Sequence, residues 1–441
     1  MGENNTGRKQ RNNEVTRSCG AAHGVGCGFR FCETECAEAV ENTMRGYVRV
    51  FVMTRQGIYI QVPFCQTKCT YCNFHTGVVS AGRFAPYAEA VCREIRGHRE
   101  LYRAAGVELP ERFEKAVVDT VYFGGGTPSL LEPELLQRMM EAIRGTFAAE
   151  LSEVTLEADP ETVEAEKAEA WVRAGINRVS FGLQSFSDKE LAAAGRMHRR
   201  ADIYRAVPIL REAGIGNISF DLIAGLAFQT KESWRESLEG LGKLGPEHVS
   251  VYLLEVDEGS RLGKELLAGG ARYSAGAVPG DDLMADFYEM ACEFLEAAGY
   301  HHYEISNWAK PGFESKHNLK YWRREAYLGF GAGAHSFSGT QRWANAHDAA
   351  EYVGAIQAGR LPAEQVEGVT RESALEEELF LGLRQLDGID VGRIEREYGV
   401  ALGMRFRPLE SAGLVMRDGD VVRLAPARLS VSNEVFVELM R

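Results

Sequence analysis

The sequence predicts an α/β protein: a barrel-like sheet of six parallel strands, followed by a small C-terminal winged-helix-like domain. Three observations indicate this fold class. Six short segments rich in β-forming residues alternate with helical stretches between residues 57 and 300. Polar residues collect where these segments end, as they do at the active-site rim of a βα barrel. After residue 359 the pattern changes to short helices and one hairpin.

The alternation of strands and amphipathic helices favours βα units in a parallel sheet. Three segments carry apolar residues at intervals of three and four, which is typical of helices. Gly214 and Gly299 follow two of these segments and are suited to end the helices. Asp159-Pro160 is suited to begin another helix. The strands are predicted at 58–62, 120–123, 154–156, 178–183, 218–223 and 248–252, and the three helices at 201–213, 232–244 and 282–298.

The C-terminal domain is predicted from three helical patterns and an alternating stretch at 413–424. Asp418-Gly419 in that stretch is a strong signal for a hairpin turn. We expect the domain to form a lid or docking surface over the open side of the barrel. Its helices are predicted at 371–385, 391–398 and 402–412. The expected organisation is an N-terminal extension at 1–52, a barrel core at 53–300, a segment at 301–360 and the C-terminal domain at 361–441.

Composition and charge exclude some classes of function. The 441 residues give room for two or three domains. The net charge of −13 argues against nucleic-acid binding, because neutralising phosphates requires a surplus of Lys and Arg. No run of about 18 apolar residues could span a bilayer, and no signal-peptide core follows Met1. We therefore expect a cytoplasmic protein without a membrane span.

The first 52 residues differ from the rest of the chain. They are polar and glycine-rich, and they are predicted to be disordered or to precede the true start at Met53. The pair Cys32-x3-Cys36 in this extension is a candidate for a second metal site. A disulfide framework is not expected, because the cytosol keeps thiols reduced.

Cys65, Cys69 and Cys72 form a C-x3-C-x2-C triplet directly after the first strand. A cubic iron–sulfur cluster usually takes four protein thiolates, so three thiolates leave one iron open to a small molecule or a distant residue. The rival interpretation is a zinc site completed by His75, since Cys3His sites exist. Zinc would leave the polar residues at the other strand ends unexplained, so the cluster is favoured.

Polar groups follow four further strands. The second strand leads to the glycine turn GGGTP at 124–128, the third ends at Glu157, and the fourth ends at Gln184. The fifth strand carries Asp221 among apolar residues, where a carboxylate is costly to bury without a partner. Each group alone has a structural explanation, such as a flexible turn or a solvated carboxylate. Their shared position at strand ends predicts a functional site.

Five motifs make the chain resemble the radical S-adenosylmethionine (SAM) superfamily. The resemblance extends from about residue 57 to the C-terminus, and it is to the branch that contains oxygen-independent coproporphyrinogen III oxidase (HemN) and the HemW family of heme chaperones. It implies a partial (β/α)6 barrel. The motifs are YIQVPFC at 59–65, FGGGTPS at 123–129, FGLQSF at 181–186, DLIAGL at 221–226 and HNLKYW at 317–322.

This resemblance implies that Cys65, Cys69 and Cys72 hold a [4Fe–4S] cluster whose open iron chelates the amino and carboxylate groups of SAM. An electron donor would reduce the cluster, and cleavage of the sulfonium C–S bond would give a 5′-deoxyadenosyl radical. Carboxylates suit the amino group or ribose hydroxyls of SAM, and Arg196 suits its carboxylate. Glu255, beyond the sixth strand, falls near the same rim. The SAM-site residues implied are Tyr59, Tyr71, Gly125, Gly126, Thr127, Glu157, Gln184, Arg196 and Asp221.

Two features distinguish the branches. The oxidase pattern continues to a fourth cysteine, whereas this chain has Phe74 at that position. The motif HNxxYW is typical of heme chaperones and is associated there with heme binding. His317 is therefore the leading candidate for an axial ligand of heme iron, with Tyr321 and Trp322 as flat faces for a porphyrin. Alternatively, His317 is a hydrogen-bonded surface histidine and Trp322 a core residue. The competing histidines are His301, His302, His335 and His347.

Two functions remain open at this point. The favoured one is a heme chaperone that binds heme, a [4Fe–4S] cluster and exchangeable SAM, and that transfers heme to an unidentified acceptor protein. The alternative is an oxygen-independent coproporphyrinogen III oxidase, which forms protoporphyrinogen IX by oxidative decarboxylation. A heme carrier could also keep the cluster and SAM as a switch, without substrate turnover.

Overall fold

The computed structural model describes residues 54–439. The predicted N-terminal extension and its cysteine pair lie outside this range. All six predicted strands are confirmed, and each pairs in parallel with the next. They are somewhat longer than their apolar centres because their ends extend into polar residues. The strands are β1 (Arg55–Val62), β2 (Val117–Gly125), β3 (Ala149–Ala158), β4 (Arg178–Gln184), β5 (Asn217–Ala224) and β6 (His248–Leu253).

The helices between these strands cover the outside of the sheet with one apolar face each. Gly214 and Gly299 follow two of them at φ of 99° and 83°, a conformation that glycine adopts at little cost. The helices are α1 (Phe84–Ala104), α2 (Glu111–Glu114), α3 (Pro133–Thr146), α4 (Ala165–Ala174), α5 (Asp188–Ala194), α6 (Arg200–Glu212), α7 (Lys231–Leu244), α8 (Arg261–Leu267) and α9 (Asp281–Ala297).

The helix predicted at Asp159-Pro160 begins later than expected. Pro160–Thr162 is a single 3₁₀ turn, and Val163 after it is extended. The side chain of Val163 is fully buried in the core. Because this anchoring holds the chain away from helical geometry, α4 starts only at Ala165.

The sheet continues beyond the six predicted strands. Residues 301–368 add strands at both edges, so that twelve strands follow the order β12-β11-β10-β9-β1-β2-β3-β4-β5-β6-β8-β7. β9 is parallel to β1, and the outer strands are antiparallel. These elements are β7 (His301–Glu304), β8 (Asn307–Ala309), α10 (Lys316–Trp322), β9 (Tyr327–Phe330), β10 (His335–Phe337), β11 (Gln341–Asn345), α11 (Ala349–Gln357) and β12 (Ala363–Gly368).

The C-terminal part has the predicted helices and hairpin. A three-stranded antiparallel sheet packs beside four helices. The two-residue loop of the hairpin is Gly419-Asp420, one position later than predicted, because Asp418 still pairs with Val421. Gly419 has a φ of 59°, which suits a hairpin turn. The elements are α12 (Arg371–Gly382), β13 (Ile389–Asp390), α13 (Val391–Tyr398), α14 (Gly403–Ser411), β14 (Val415–Asp418), β15 (Val421–Leu424) and α15 (Ser432–Leu439).

Within residues 54–439, no helix is both long enough and apolar enough to cross a membrane.

Candidate functional site

The carboxyl ends of β2 to β6 and the cysteine loop after β1 enclose a cavity of about 560 Å³. Most of the residues predicted for the site line it. Tyr59, on β1, and His317, on the helix Lys316–Trp322, are the exceptions. The predicted residues that line the cavity are Cys65, Cys69, Tyr71, Cys72, Gly125, Gly126, Thr127, Glu157, Gln184, Arg196, Asp221 and Glu255.

The cysteine loop is anchored on both sides. The amide of Cys65 donates to the carbonyl of Gly77 at 3.1 Å, which closes the loop on itself. The amide of Thr70 donates to the carbonyl of Ala194 at 3.0 Å, which ties the loop to the end of α5. These backbone bonds fix the three cysteines at the mouth of β1, with their thiols partly buried. Burial raises the pKa of the Cys65 and Cys72 thiols.

The three thiols are compatible with an iron–sulfur cluster. Each thiolate of a cubic cluster binds a different iron, so the sulfurs need not converge on one point. Among residues 54–439, no three His, Cys, Asp or Glu side chains are placed to hold a single metal ion. The ring of His75, the fourth ligand in the zinc interpretation, stacks on His347 with 3.9 Å between ring centroids.

The glycine turn after β2 packs directly against the cysteine loop. The amide of Gly126 donates to the carbonyl of Val62 at 2.8 Å, and that of Thr127 donates to Phe64 at 2.7 Å. A Cβ on Gly126 would lie 2.4 Å from the Phe64 carbonyl oxygen. Glycine is required here because the backbones of the two loops touch. This close approach holds the cysteine loop against the sheet.

Two carboxylates line the cavity from β3 and β5, the strands on either side of β4. Glu157 accepts hydrogen bonds from the Tyr122 hydroxyl at 2.9 Å and the Gly125 amide at 3.0 Å. Burial raises the pKa of Glu157 to about 7, although the Tyr122 hydrogen bond opposes this change. Burial also raises the pKa of Asp221, against hydrogen bonds from Ser250 and Ser180. A cationic ligand would stabilise the ionised form of both carboxylates.

Arg196 connects the cysteine loop to the strand ends. Its guanidinium forms an ion pair with Asp159 and donates to the Gly182 carbonyl at 2.7 Å. A second nitrogen lies 3.5 Å from the sulfur of Cys69. Its Nε is buried and has no hydrogen-bond partner among the described residues. A fixed cation beside the thiols suits an anionic ligand group and the charge of a cluster.

Asp159 is a site residue that the sequence analysis did not assign. Its carboxylate accepts from the Thr127 hydroxyl at 3.2 Å in addition to pairing with Arg196. The signal was present, since Asp159 follows β3 just as Glu157 ends it. The proline that follows Asp159 favours a helix start at this position instead.

Gln184 lines the cavity from the end of β4 in a strained backbone conformation. Its φ is 65°, which is costly for a residue with a Cβ and is found mainly where the surroundings impose it. The following residues turn back at once, with the amide of Ser185 donating to the carbonyl of Leu183 at 2.8 Å. The tight turn presents the Gln184 side chain at the rim.

The C-terminal domain contributes to the cavity wall. Local sequence patterns gave no signal for these contacts, because they depend on how the domain packs against the sheet. The role of this domain as a lid or docking surface stays a prediction. The residues from 301–439 that line the cavity are Ile305, Ser306, Arg384, Leu429, Ser430, Ser432 and Asn433.

His317 lies on α10, with its ring packed against β1 and β2 and away from the cavity lining. Its side chain is 1% exposed. Nδ1 is 2.9 Å from the Thr120 hydroxyl, and Nε2 is 2.8 Å from the Tyr321 hydroxyl. Burial lowers the pKa of His317 to about 3. In this conformation neither ring nitrogen is open to a ligand, and the geometry gives no support to His317 as an axial ligand of heme.

Tyr59 and Tyr122 separate His317 from the cavity. The Tyr59 ring stacks on Tyr122 with centroids 5.9 Å apart, and Tyr122 lies 5.3 Å from the His317 ring. The Tyr59 hydroxyl donates to Gln61 at 2.8 Å. Tyr59 thus supports the floor of the cavity from below.

The stability of the protein should fall as the pH drops below 6.5, in part through His317. Its folded pKa of about 3 lies below the unfolded value of about 6.5, so the unfolded chain takes up the proton first. Between pH 6.5 and 5 this group alone is expected to cost about 2 kcal/mol. Chemical denaturation of His317→Gln across this range should show a shallower loss of unfolding free energy than the parent. His301→Gln, at an exposed position, should keep the parental slope; equal slopes in all three proteins would contradict the prediction.

The fold and this site define a class: a parallel α/β barrel with three loop cysteines beside a polar cavity, as in radical SAM proteins. The radical SAM superfamily matches residues 59–241, and the HemN C-terminal domain matches residues 369–427. Both cofactors of that class, a [4Fe–4S] cluster and SAM, are implied by this membership.

Curated relatives specify the family further. The chain is 36% identical to the heme chaperone HemW of Bacillus subtilis over 384 residues, 86% of this chain and 97% of that one. It is 32% identical to HemW of Lactococcus lactis, over 87% of this chain and 96% of that one. The chain belongs to the HemW family of radical SAM proteins. Coproporphyrinogen III oxidase (HemN) from Escherichia coli has the same fold, with a TM-score of 0.74, 93% coverage of both chains and 22% identity.

Proposed function

We propose that this protein is a cytoplasmic heme chaperone that binds heme, carries a [4Fe–4S] cluster with exchangeable SAM, and transfers heme to an acceptor protein. The proposal is carried by the likeness to HemW of Bacillus subtilis, which extends over 97% of that protein. Phe74 at the position of a fourth cysteine in the oxidase pattern supports the same branch. No residue among 54–439 supplies a fourth cysteine in this loop.

The cavity has the donors and acceptors that SAM requires. Cys65, Cys69 and Cys72 would hold the cluster, which, after reduction by a donor protein, would supply the electron for reductive cleavage of SAM. Arg196 is the donor for the carboxylate of SAM, because its guanidinium is fixed by Asp159 beside Cys69. The buried carboxylates on β3 and β5 are the acceptors for its amino group or ribose hydroxyls.

Two parts of the chain restrict access to the cysteine loop. The glycine turn packs against the loop from the sheet side, and residues of the C-terminal domain form the opposite wall. A partly closed polar cavity limits the access of bulk water, and charge interactions are stronger where water is limited. Opening of the C-terminal wall would be the route for exchange of SAM.

Anaerobic reconstitution followed by two parallel assays tests the function. Heme titration should show a Soret band that saturates at about one heme per chain, and the band should shift when an apo-hemoprotein takes up the heme. Incubation with coproporphyrinogen III, SAM and a low-potential reductant should give no protoporphyrinogen IX. Formation of that product with SAM consumption would identify the oxidase instead, and absence of heme binding would remove the chaperone proposal.

The role of His317 in heme binding stays a prediction. Coordination would require the loss of its hydrogen bonds to Thr120 and Tyr321. If His317 binds the heme iron, its surroundings must therefore change conformation. The same titration of His317→Ala tests whether His317 is the ligand. Heme binding that survives in this variant with an intact cluster would show that another group binds the iron.

A further inference from the structure

A second pocket, of about 310 Å³, lies beside the end of α10 and shares no residue with the cavity at the strand ends. Its volume is at the lower end of the range for ligand pockets, about 300–1,000 Å³. Aromatic side chains of α10, β9 and β10 line it, together with charged side chains of β11, of α12 and of the turn after α10. The main sheet and the C-terminal domain therefore both contribute to this pocket.

Two arginines share one carboxylate in this pocket. Arg342 approaches Glu377 as a fork, with Nε 3.0 Å from one carboxylate oxygen and Nη2 2.8 Å from the other. Arg324 donates to the same carboxylate through Nε at 2.8 Å. The two Nη groups of Arg324 form no hydrogen bond with residues 54–439. Because N–H donors of this guanidinium are still unused, the pocket can take up a further anionic group.

Aromatic rings hold the two arginines in place. The guanidinium carbon of Arg342 lies 4.1 Å from the centroid of the Phe337 ring, and that of Arg324 lies 5.3 Å from it. Phe337 itself is buried. Tyr321 and Tyr327 pack edge to face beside it, with their centroids 4.7 Å apart. Since one buried ring orients both cations, the arginines are preorganised for a ligand, and flat apolar faces lie next to them.

A costly backbone conformation places Arg324 in the pocket. It directly follows Arg323, the residue that caps α10, and its φ is 51°. Helices commonly end with glycine in this left-handed conformation, because a Cβ makes it unfavourable. Arginine at this position turns the chain towards β9 and directs a cation into the pocket. Strained residues of this kind are concentrated at ligand sites and switch segments.

The pocket adjoins the motif at 317–322. Tyr321 of the motif lines it, and the Tyr321 hydroxyl is 2.8 Å from Nε2 of His317. The Lys320 ammonium lies 3.1 Å from Glu325, the second carboxylate that lines the pocket. Because Glu325 has this cation as its partner, the arginines are left to Glu377. A ligand in the pocket would therefore touch the motif that the family resemblance associates with heme.

We propose that Arg324 and Arg342 form the subsite for the propionate carboxylates of heme, and that Glu377 occupies this subsite as an internal carboxylate until heme binds. The inference rests on the proposed heme-binding function and adds residues outside the motif at 317–322. A propionate carries the same carboxylate group as a glutamate side chain, so it can accept the same fork. The adjoining edge of the porphyrin would lie against the tyrosines of α10 and β9. Because Glu377 belongs to α12, its displacement would loosen the contact between the C-terminal domain and the sheet.

Titration of the reconstituted full chain with hemin, followed through the Soret band, tests the subsite. Arg342→Gln should weaken hemin binding by about tenfold or more, because it removes a charged, bidentate donor. Arg342→Lys should weaken it less, since lysine keeps the charge without the fork. Glu377→Gln should instead bind hemin more tightly, by roughly threefold or more, because the competing carboxylate is gone. Hemin dimethyl ester, whose propionates are esterified, should bind the parent weakly and lose nothing further in Arg342→Gln.

Arg393→Gln is the matched control, since Arg393 pairs with Glu378, the residue next to Glu377 on α12, and lies outside the pocket. It should bind hemin as the parent does. If the parent binds hemin and Arg342→Gln binds it equally well, the subsite is wrong while the chaperone function stands. The same holds if Glu377→Gln weakens binding as Arg342→Gln does, because the pair is then only a structural link. Should Arg342→Gln fail to fold, the opposite effects expected of Arg342→Lys and Glu377→Gln still decide. If the parent binds no hemin, the proposed function fails and the subsite with it.

Discussion

Alanine at Cys65, Cys69 or Cys72 is expected to abolish the [4Fe–4S] cluster while leaving the fold intact. Each thiolate holds a different iron, and three ligands already leave one corner without protein support. With only two thiolates remaining, the cluster loses the anchor that fixes it at the mouth of β1. Iron and acid-labile sulfide per chain should fall at least tenfold after anaerobic reconstitution, together with the brown absorbance near 400 nm.

Cys92→Ala is the control for this experiment. Cys92 is fully buried in α1, away from the cavity, and its removal leaves the loop unchanged. This variant should reconstitute as well as the parent, and circular dichroism should be the same for all four variants. Full iron and sulfide in any one of the three loop variants would show that its cysteine is not a ligand.

Much of the architecture was predictable because local and tertiary preferences agree. The strand segments of the core are apolar and β-branched, and their burial in a parallel sheet requires that pattern. The site residues at strand ends were predictable because the carboxyl ends of parallel strands meet at one edge of the sheet. This argument predicted that Glu157, Gln184 and Asp221 lie at the site, and all three line the cavity.

Other features required the three-dimensional arrangement. Residues 301–360 were expected as a heme-associated segment and residue 361 as the start of the C-terminal domain, yet the strands of 301–360 and β12 (Ala363–Gly368) extend the main sheet at its two edges. Their strands have only three to six residues, too short for a periodic signal. Local sequence patterns also cannot predict contacts between distant parts of the chain. Examples are Arg384 and Asn433 at the cavity wall and the stacking of His75 on His347.

The motif at 317–322 shows how a recognisable pattern can have a structural role. Its histidine is buried beneath the cavity, and its lysine forms an interior ion pair. In α10 these residues face β1 and β2, where a Cβ on Gly57 would lie 3.0 Å from the His317 ring. The helix therefore closes the base of the sheet, and the tyrosines above it form the floor of the cavity.

Lys320→Met is expected to destabilise the protein by about 3–5 kcal/mol. The Lys320 side chain is 5% exposed, and its ammonium lies 2.9 Å from Asp119 and 3.1 Å from Glu325. Glu325 is exposed enough to be solvated, but Asp119 would remain as an unpaired, largely buried charge. The loss should be visible as a lower unfolding free energy in chemical denaturation.

The matched control is Lys316→Met, on the same helix but exposed and without an ion pair within residues 54–439; it should change stability by less than about 0.5 kcal/mol. Asp119→Leu combined with Lys320→Met should recover most of the loss, because the double variant removes both charges and leaves Asp119 no longer buried without a partner. Equal stability of the two single variants would contradict a buried role for Lys320. Heme binding by the stable double variant would further separate the packing of α10 from recognition of the ligand.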